Sequence, residues 1–114
     1  MEYDFCVLIT TYNRPEKLYN LLDDIEFNKK NYKILVVVFD DGSTEKLDLT
    51  NRDVVKIGMF PNMGKRKYYV TFNATFSFVK NVNSKYFIYL PDDVSLVNNF
   101  FDDSKRIYDS ITST

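Results

Sequence analysis

"FCVLITTYNRPEKLYNLLDDI", residues 5–25, changes its periodicity once, and that change points to the fold. "FCVLIT" is a continuous run of strand length without polar alternation, the pattern of a strand covered on both faces, as in a parallel sheet. Asn13 then offers a helix N-cap, and Pro15 falls where a first-turn proline is tolerated. Leu18, Leu21, Leu22 and Ile25 follow at helical spacing. The stretch reads strand, loop, helix.

The same grammar continues outward. "KILVVVFD" is a second strand rich in β-branched residues, and "DDGST" behind it is turn chemistry, with Gly42 able to take a positive φ. Residues 45–52 are polar and poorly patterned and read as a loop, at most with one helical turn. "VVKIGMF" makes a third strand, closed by Pro61 and Gly64 of "PNMG". In residues 65–82 the Tyr and Phe content favours strand, whereas Tyr69, Phe72, Phe76 and Val79 fit one face of a helix, and helix is the reading adopted. "YFIYL" is a fourth strand. Phe100, Phe101, Ile107, Tyr108 and Ile111 predict a closing amphipathic helix. This order implies one α/β domain over residues 1–114, an open and mostly parallel sheet with helices on both faces and right-handed crossovers.

Composition narrows the function. At 114 residues, with 45% apolar and 17% aromatic residues, the chain has enough material for one ordered core. A net charge of -1 gives no basic field for nucleic acid. The absence of histidine removes the commonest general base and excludes Ser/His/Asp hydrolysis. Cys6 is the only cysteine, sits within an apolar run, and fits a reducing compartment. No apolar run reaches the ~20 residues of a membrane span, and "MEYDF" lacks the basic start of a signal peptide. A soluble protein of the cytoplasm is expected, of the host cytoplasm if the chain is viral.

Two acidic pairs, Asp40 with Asp41 and Asp92 with Asp93, each follow a strand. Carboxylates about 4 Å apart repel by roughly 4 kcal/mol at an effective dielectric near 20, so a positive group is expected beside them. In open parallel sheets ligands bind outside the carboxyl ends of the strands, where residues 10–14, 40–43 and 92–93 all fall. "TTYNRP" is neither a dinucleotide fingerprint nor a P-loop. A diphosphate would then be held through a divalent cation, and oxygen ligands without histidine or thiol favour magnesium or manganese on Asp92 and Asp93. The plainer alternative is that "PDD" merely starts the last helix, where acids favour the N-terminal dipole. Tyr12 is suited to stacking on a nucleobase, and Asp41 to accepting from a ring N–H or a ribose hydroxyl. "GKRK", residues 64–67, is either a solvated charge run or a clamp on a departing diphosphate.

"VLITTYNRPEKLYNLL", "VVVFDDGST", "NMGKRKYYVTFNATF" and "YFIYLPDDVSLVNNFF", taken together, resemble the nucleotide-sugar-binding half of a GT-A glycosyltransferase, closest to the large family 2 group. The resemblance covers nearly the whole chain, with "PDD" as a looser form of the DxD metal motif. It implies a Rossmann-like half-domain in which Thr10, Tyr12 and Arg14 line the base and phosphate pocket, with Thr11 and Asp40 beside them. It places Asp41 on the base or ribose, Lys67 with Arg66 on the nucleotide, Asp92 near the ribose and Asp93 on the metal. The implied partners are a nucleotide-diphosphate sugar and a glycan or other hydroxyl acceptor. Members normally continue into an acceptor-binding half that supplies the base of inverting enzymes. This chain closes about 20 residues past Asp93, so a truncated donor domain is expected, with self-association through an unpaired sheet edge.

Two other readings compete. A non-catalytic nucleotide-binding module derived from the same fold would hold donor without releasing sugar. A phospho-receiver domain has a similar length and order, but its acidic pair follows the first strand, where this chain has "TTYNRP".

Overall fold

The computed structural model describes residues 2–58, 77 and 80–112. Its elements are strand β1 (Tyr3–Thr11), helix α1 (Pro15–Asn28), strands β2 (Ile34–Asp40), β3 (Val55–Gly58) and β4 (Ser84–Pro91), and helix α2 (Phe100–Thr112). The four strands form one parallel sheet in the order β3-β2-β1-β4. β1 is central because it is apolar on both faces. Phe5, Val7 and Ile9 pack with Leu18, Leu21, Leu22 and Ile25 of α1 and Phe101 of α2. Cys6 and Leu8 point the other way and are buried with Val37 and Phe39. Both described helices thus lie on one face, and the opposite face is buried at its centre, around β1 and β2, while Phe87 on β4 is 46% exposed. Burial pushes the Cys6 thiol up to about 11, as suits a core residue.

The crossover from β2 to β3 contains no helix, as expected of residues 45–52. It is anchored instead by Leu47, Leu49 and Val54, which pack against the core. Asp48 donates its N–H to the Tyr19 hydroxyl at 2.8 Å, and Arg52 pairs with Asp23 at 2.8 Å while lying over the Tyr19 ring. The helix expected over residues 65–82 lies almost wholly outside the described residues. Ser77 is helical, and Lys80 and Asn81 form a turn. The expected third strand is shorter on its N-terminal side, and its last two residues, Met59 and Phe60, lie outside the described set.

Two expectations need correction. Asn13 does not cap α1; Arg14 holds the N-cap position without a capping bond from its side chain, and Pro15 opens the helix. The closing helix is buried most deeply in its first turn and is held more lightly further on, where Tyr108 meets Tyr86 edge to face with ring centroids 5.1 Å apart. Phe101 is fully buried against Phe5, with ring centroids 4.9 Å apart, whereas Ile107 and Ile111 are exposed. Among the described residues, no helix is long and apolar enough to cross a membrane.

α2 is also held by charge. Asp102 accepts from Lys30 Nζ and from the Tyr32 hydroxyl, and Asp109 accepts from Lys105 Nζ and from the Tyr86 hydroxyl. These bonds favour the carboxylates and lower the pKa values of both aspartates, the lysine contributing most in each case. A lowered folded-state pKa means that the unfolded chain binds more protons in acid. The stabilisation is present above the ordinary value of 3.8 and is lost as pH falls through the folded-state value. Denaturant unfolding between pH 2 and 6 should therefore show a shallower acid loss for Asp102→Asn than for the parent chain; equal slopes would refute this assignment. The mirror effect holds in base. Asp102 raises the Tyr32 phenol from 10.0 to about 12, so its contribution is present below pH 10 and fades toward 12.

Candidate nucleotide site

The parallel register sets Thr11 beside Asp40 and Thr10 beside Pro91, so the carboxyl ends of β2, β1 and β4 form one rim. Pro91 is tolerated there because it ends a strand that has no neighbour on its far side among the described residues. Beyond it, Asp92 and Asp93 form a turn, and α2 begins only at Phe100. The acidic pair is therefore not the start of the last helix. α1 holds this segment in place. Asp24 Oδ2 accepts from Leu96 N at 3.0 Å, and Asn28 Oδ1 accepts from Phe100 N at 3.5 Å.

The cation sought beside the carboxylates is Arg14. Its NH1 lies 3.5 Å from Asp92 Oδ1 and 3.4 Å from Asp93 Oδ2. Asp92 is further fixed by Thr11, whose Oγ1 donates to Asp92 Oδ2 at 2.8 Å. The two acids differ sharply in setting: the Asp92 side chain is 8% exposed and that of Asp93 46%. Arg14 is itself 52% exposed, and an ion pair so open to water contributes about 0–1 kcal/mol. The guanidinium is consequently easy to displace, and it has spare donors suited to phosphate oxygens.

Asp40 and Asp41 also part company. Asp40 is buried, accepts from Ser43 N at 2.9 Å and lies 3.9 Å from Lys56 Nζ. That bond closes a turn through Gly42 at φ 75°. Asp41 extends the strand ladder, its N–H donating to Thr11 O at 2.9 Å, and is half-buried. Strand alternation sends Thr10 to the face opposite Thr11, where its Oγ1 shares a hydrogen bond of 2.6 Å with the Tyr89 hydroxyl. Tyr12 is 42% exposed at the rim. Thr10, Thr11, Tyr12, Arg14, Asp40, Asp41, Asp92 and Asp93 are therefore all on this rim, although Asp40 and Thr10 are engaged within the fold. Arg66 and Lys67 lie outside the described residues.

Asn13 and Ser43 were not singled out from the sequence as site residues. Asn13, at φ 52°, donates its N–H to Ser43 Oγ at 2.9 Å. Its Oδ1 accepts from Thr44 N at 2.8 Å, Thr44 Oγ1 at 3.3 Å and Glu45 N at 3.1 Å. An asparagine between strand and helix signals a cap or a left-handed turn; nothing local signals a bond to a loop some thirty positions away. Among the described residues no three or more Asp, Glu, Cys or His side chains gather as a metal cluster.

No family model matches the chain, and no curated protein matches it. Solved structures do. The crystal structure of S. aureus TarS aligns with TM-score 0.63 at 20% identity, over 94% of this chain and 20% of that one. S. aureus TarS 1-349 in complex with UDP aligns with TM-score 0.64 at 20% identity, over 94% of this chain and 32% of that one. The complex of TarS 1-349 with UDP-GlcNAc aligns with TM-score 0.62 at 20% identity, over 94% and 31%. The chain thus spans a fifth to a third of the length of these structures. Its parallel four-stranded sheet with two described helices has the α/β fold of the matching part of these neighbours.

Proposed function

We propose that the chain is the donor-binding part of a glycosyltransferase, holding a nucleotide-diphosphate sugar across the carboxyl ends of β1, β2 and β4 for transfer to a hydroxyl acceptor. The observation that carries this reading is the Arg14 guanidinium set against Asp92 and Asp93 on that rim. The neighbours sharing the fold include complexes with UDP and UDP-GlcNAc, which supports a uridine nucleotide as the first ligand to try. In this reading Tyr12 stacks on the base and Asp41 accepts from a ring N–H or a ribose hydroxyl. Arg14 meets the phosphates, and Asp92, fixed by Thr11, approaches the ribose. Lys67 with Arg66 supplies further positive charge.

The donor set fits a divalent cation. Magnesium and manganese are commonly bound through one or two carboxylates completed by water and substrate phosphates. Asp93, half exposed and next to the buried Asp92, offers such a pair, and it already attracts a cation in Arg14. The ion, when bound, would stabilise negative charge on the departing diphosphate. Arg14 contributes a fixed positive charge toward the same group.

A second reading, a module that binds donor without transfer, fits a rim whose described carboxylates, Asp40, Asp41, Asp92 and Asp93, are each engaged by the fold or assigned to the donor, with none assigned to deprotonate an acceptor. Incubation with UDP-GlcNAc and manganese, followed for UDP release with and without added glycan acceptors, separates the two. Acceptor-dependent UDP release supports transfer. Donor binding without release leaves the binding module, and neither binding nor release refutes both.

A further inference from the structure

Tyr12 and Asp41 sit on different loops, and the value of either toward a nucleobase depends on its placement relative to the other. Asp41 is tied to β1 by its backbone bond to Thr11. Tyr12 has no such neighbour in the ladder. It follows the last paired residue of β1 and precedes Asn13, where the chain turns through φ 52°. Asn13 is the residue that joins the two loops. Its N–H meets Ser43 Oγ, and its single side-chain oxygen gathers Thr44 N, Thr44 Oγ1 and Glu45 N. Tyr12 is covalently adjacent to this clamp on one side and Arg14 on the other.

We propose that Asn13 is a positioning residue that sets base discrimination: by locking residues 12–14 onto residues 43–45, it fixes Tyr12 relative to Asp41. This rests on the nucleotide reading above. Without the clamp, the Gly42 turn and the strand-to-helix turn are joined mainly at the Asp41–Thr11 bond, and the two base-facing groups sample separate positions. Binding must then order them, which weakens selection between bases more than attraction for the diphosphate common to all.

The test compares affinities for UDP, CDP and GDP in the parent chain, Asn13→Gly and Asn13→Asp. Glycine keeps the positive φ and deletes the acceptor oxygen. Aspartate keeps the oxygen on a side chain of the same length and tolerates the same φ. Its added charge acts on all three diphosphates alike, so it cancels in the ratio of affinities. The expected result is that Asn13→Gly narrows the ratio between best and worst nucleotide by about tenfold, while Asn13→Asp keeps it. A role confined to folding would lower the unfolding midpoint and leave the ratio unchanged. If Asn13→Gly does not fold, Ser43→Ala, which removes one acceptor of the same clamp, carries the comparison. A folded Asn13→Gly or Ser43→Ala chain with the parent ratio overturns the inference, as does an Asn13→Asp chain as unselective as Asn13→Gly. A parent chain that binds the three equally also overturns it. A parent chain that binds none overturns the nucleotide reading itself, a distinguishable result.

Discussion

Saturating UDP with manganese is expected to raise the unfolding midpoint of the 114-residue chain by about 10 °C, and Asp93→Asn to remove most of that rise. A ligand at about 100 times its Kd stabilises by roughly 2.7 kcal/mol, and a domain of this length shifts by about 4 °C per kcal/mol. The substitution is a clean one. Asp93 is 46% exposed and its ion pair with Arg14 is 3.4 Å long, so the ligand-free midpoint should move by no more than a few degrees. The amide keeps the shape while removing the charge that a hard cation requires. GDP, dTDP and CDP serve as comparisons. A rise for UDP that is equal without manganese, or equal in Asp93→Asn, refutes the metal assignment but leaves the nucleotide site. No rise with any nucleotide refutes both.

The second large effect is structural. Phe101→Ala should destabilise the chain by about 3–5 kcal/mol, lowering the midpoint by roughly 12–20 °C. Phe101 is 0% exposed and meets Phe5 at 4.9 Å and Phe100 at 5.2 Å, so its removal empties the contact that seats α2 on β1. The remaining half of the helix is held more lightly, by Tyr108 and Asp109 on Tyr86, while Ile107 and Ile111 are largely exposed. Against a total of about 5–15 kcal/mol for a small domain, this is a large share. Ile111→Ala is the control and should cost at most about 0.5 kcal/mol. Equal losses for the two variants would mean that the C-terminal half of α2 is seated as firmly as its first turn.

Much of this architecture was legible in the sequence. Five continuous apolar positions, Phe5 to Ile9, make a strand wet on neither face, and leucines three and four apart make a helix wet on one, because burial follows the period of the backbone. Parallel strands with crossovers then bring their carboxyl ends to one rim, so residues 10–14, 40–43 and 92–93 could be gathered without any contact being known. Periodicity does not report whether a facing surface exists. That is why Ile107 and Ile111 read as core positions and are exposed. Local propensity likewise ranks Asn13 as a cap, but it does not weigh that use against a loop bearing two N–H donors within reach.

By itself the sequence determined the strand order along the chain, the two-faced apolar centre and the acidic ends of β2 and β4, because each depends on residues adjacent in the chain. Only the tertiary structure decided what answers those acids. Arg14 and Asp92 are 78 positions apart, and Thr11 and Asp92 are 81. Their meeting depends on the register of β1 against β4, which puts Thr10 beside Pro91. It also separated two aspartates that look alike in sequence. A one-residue step around the turn buries Asp92 on Thr11 and leaves Asp93 half in water.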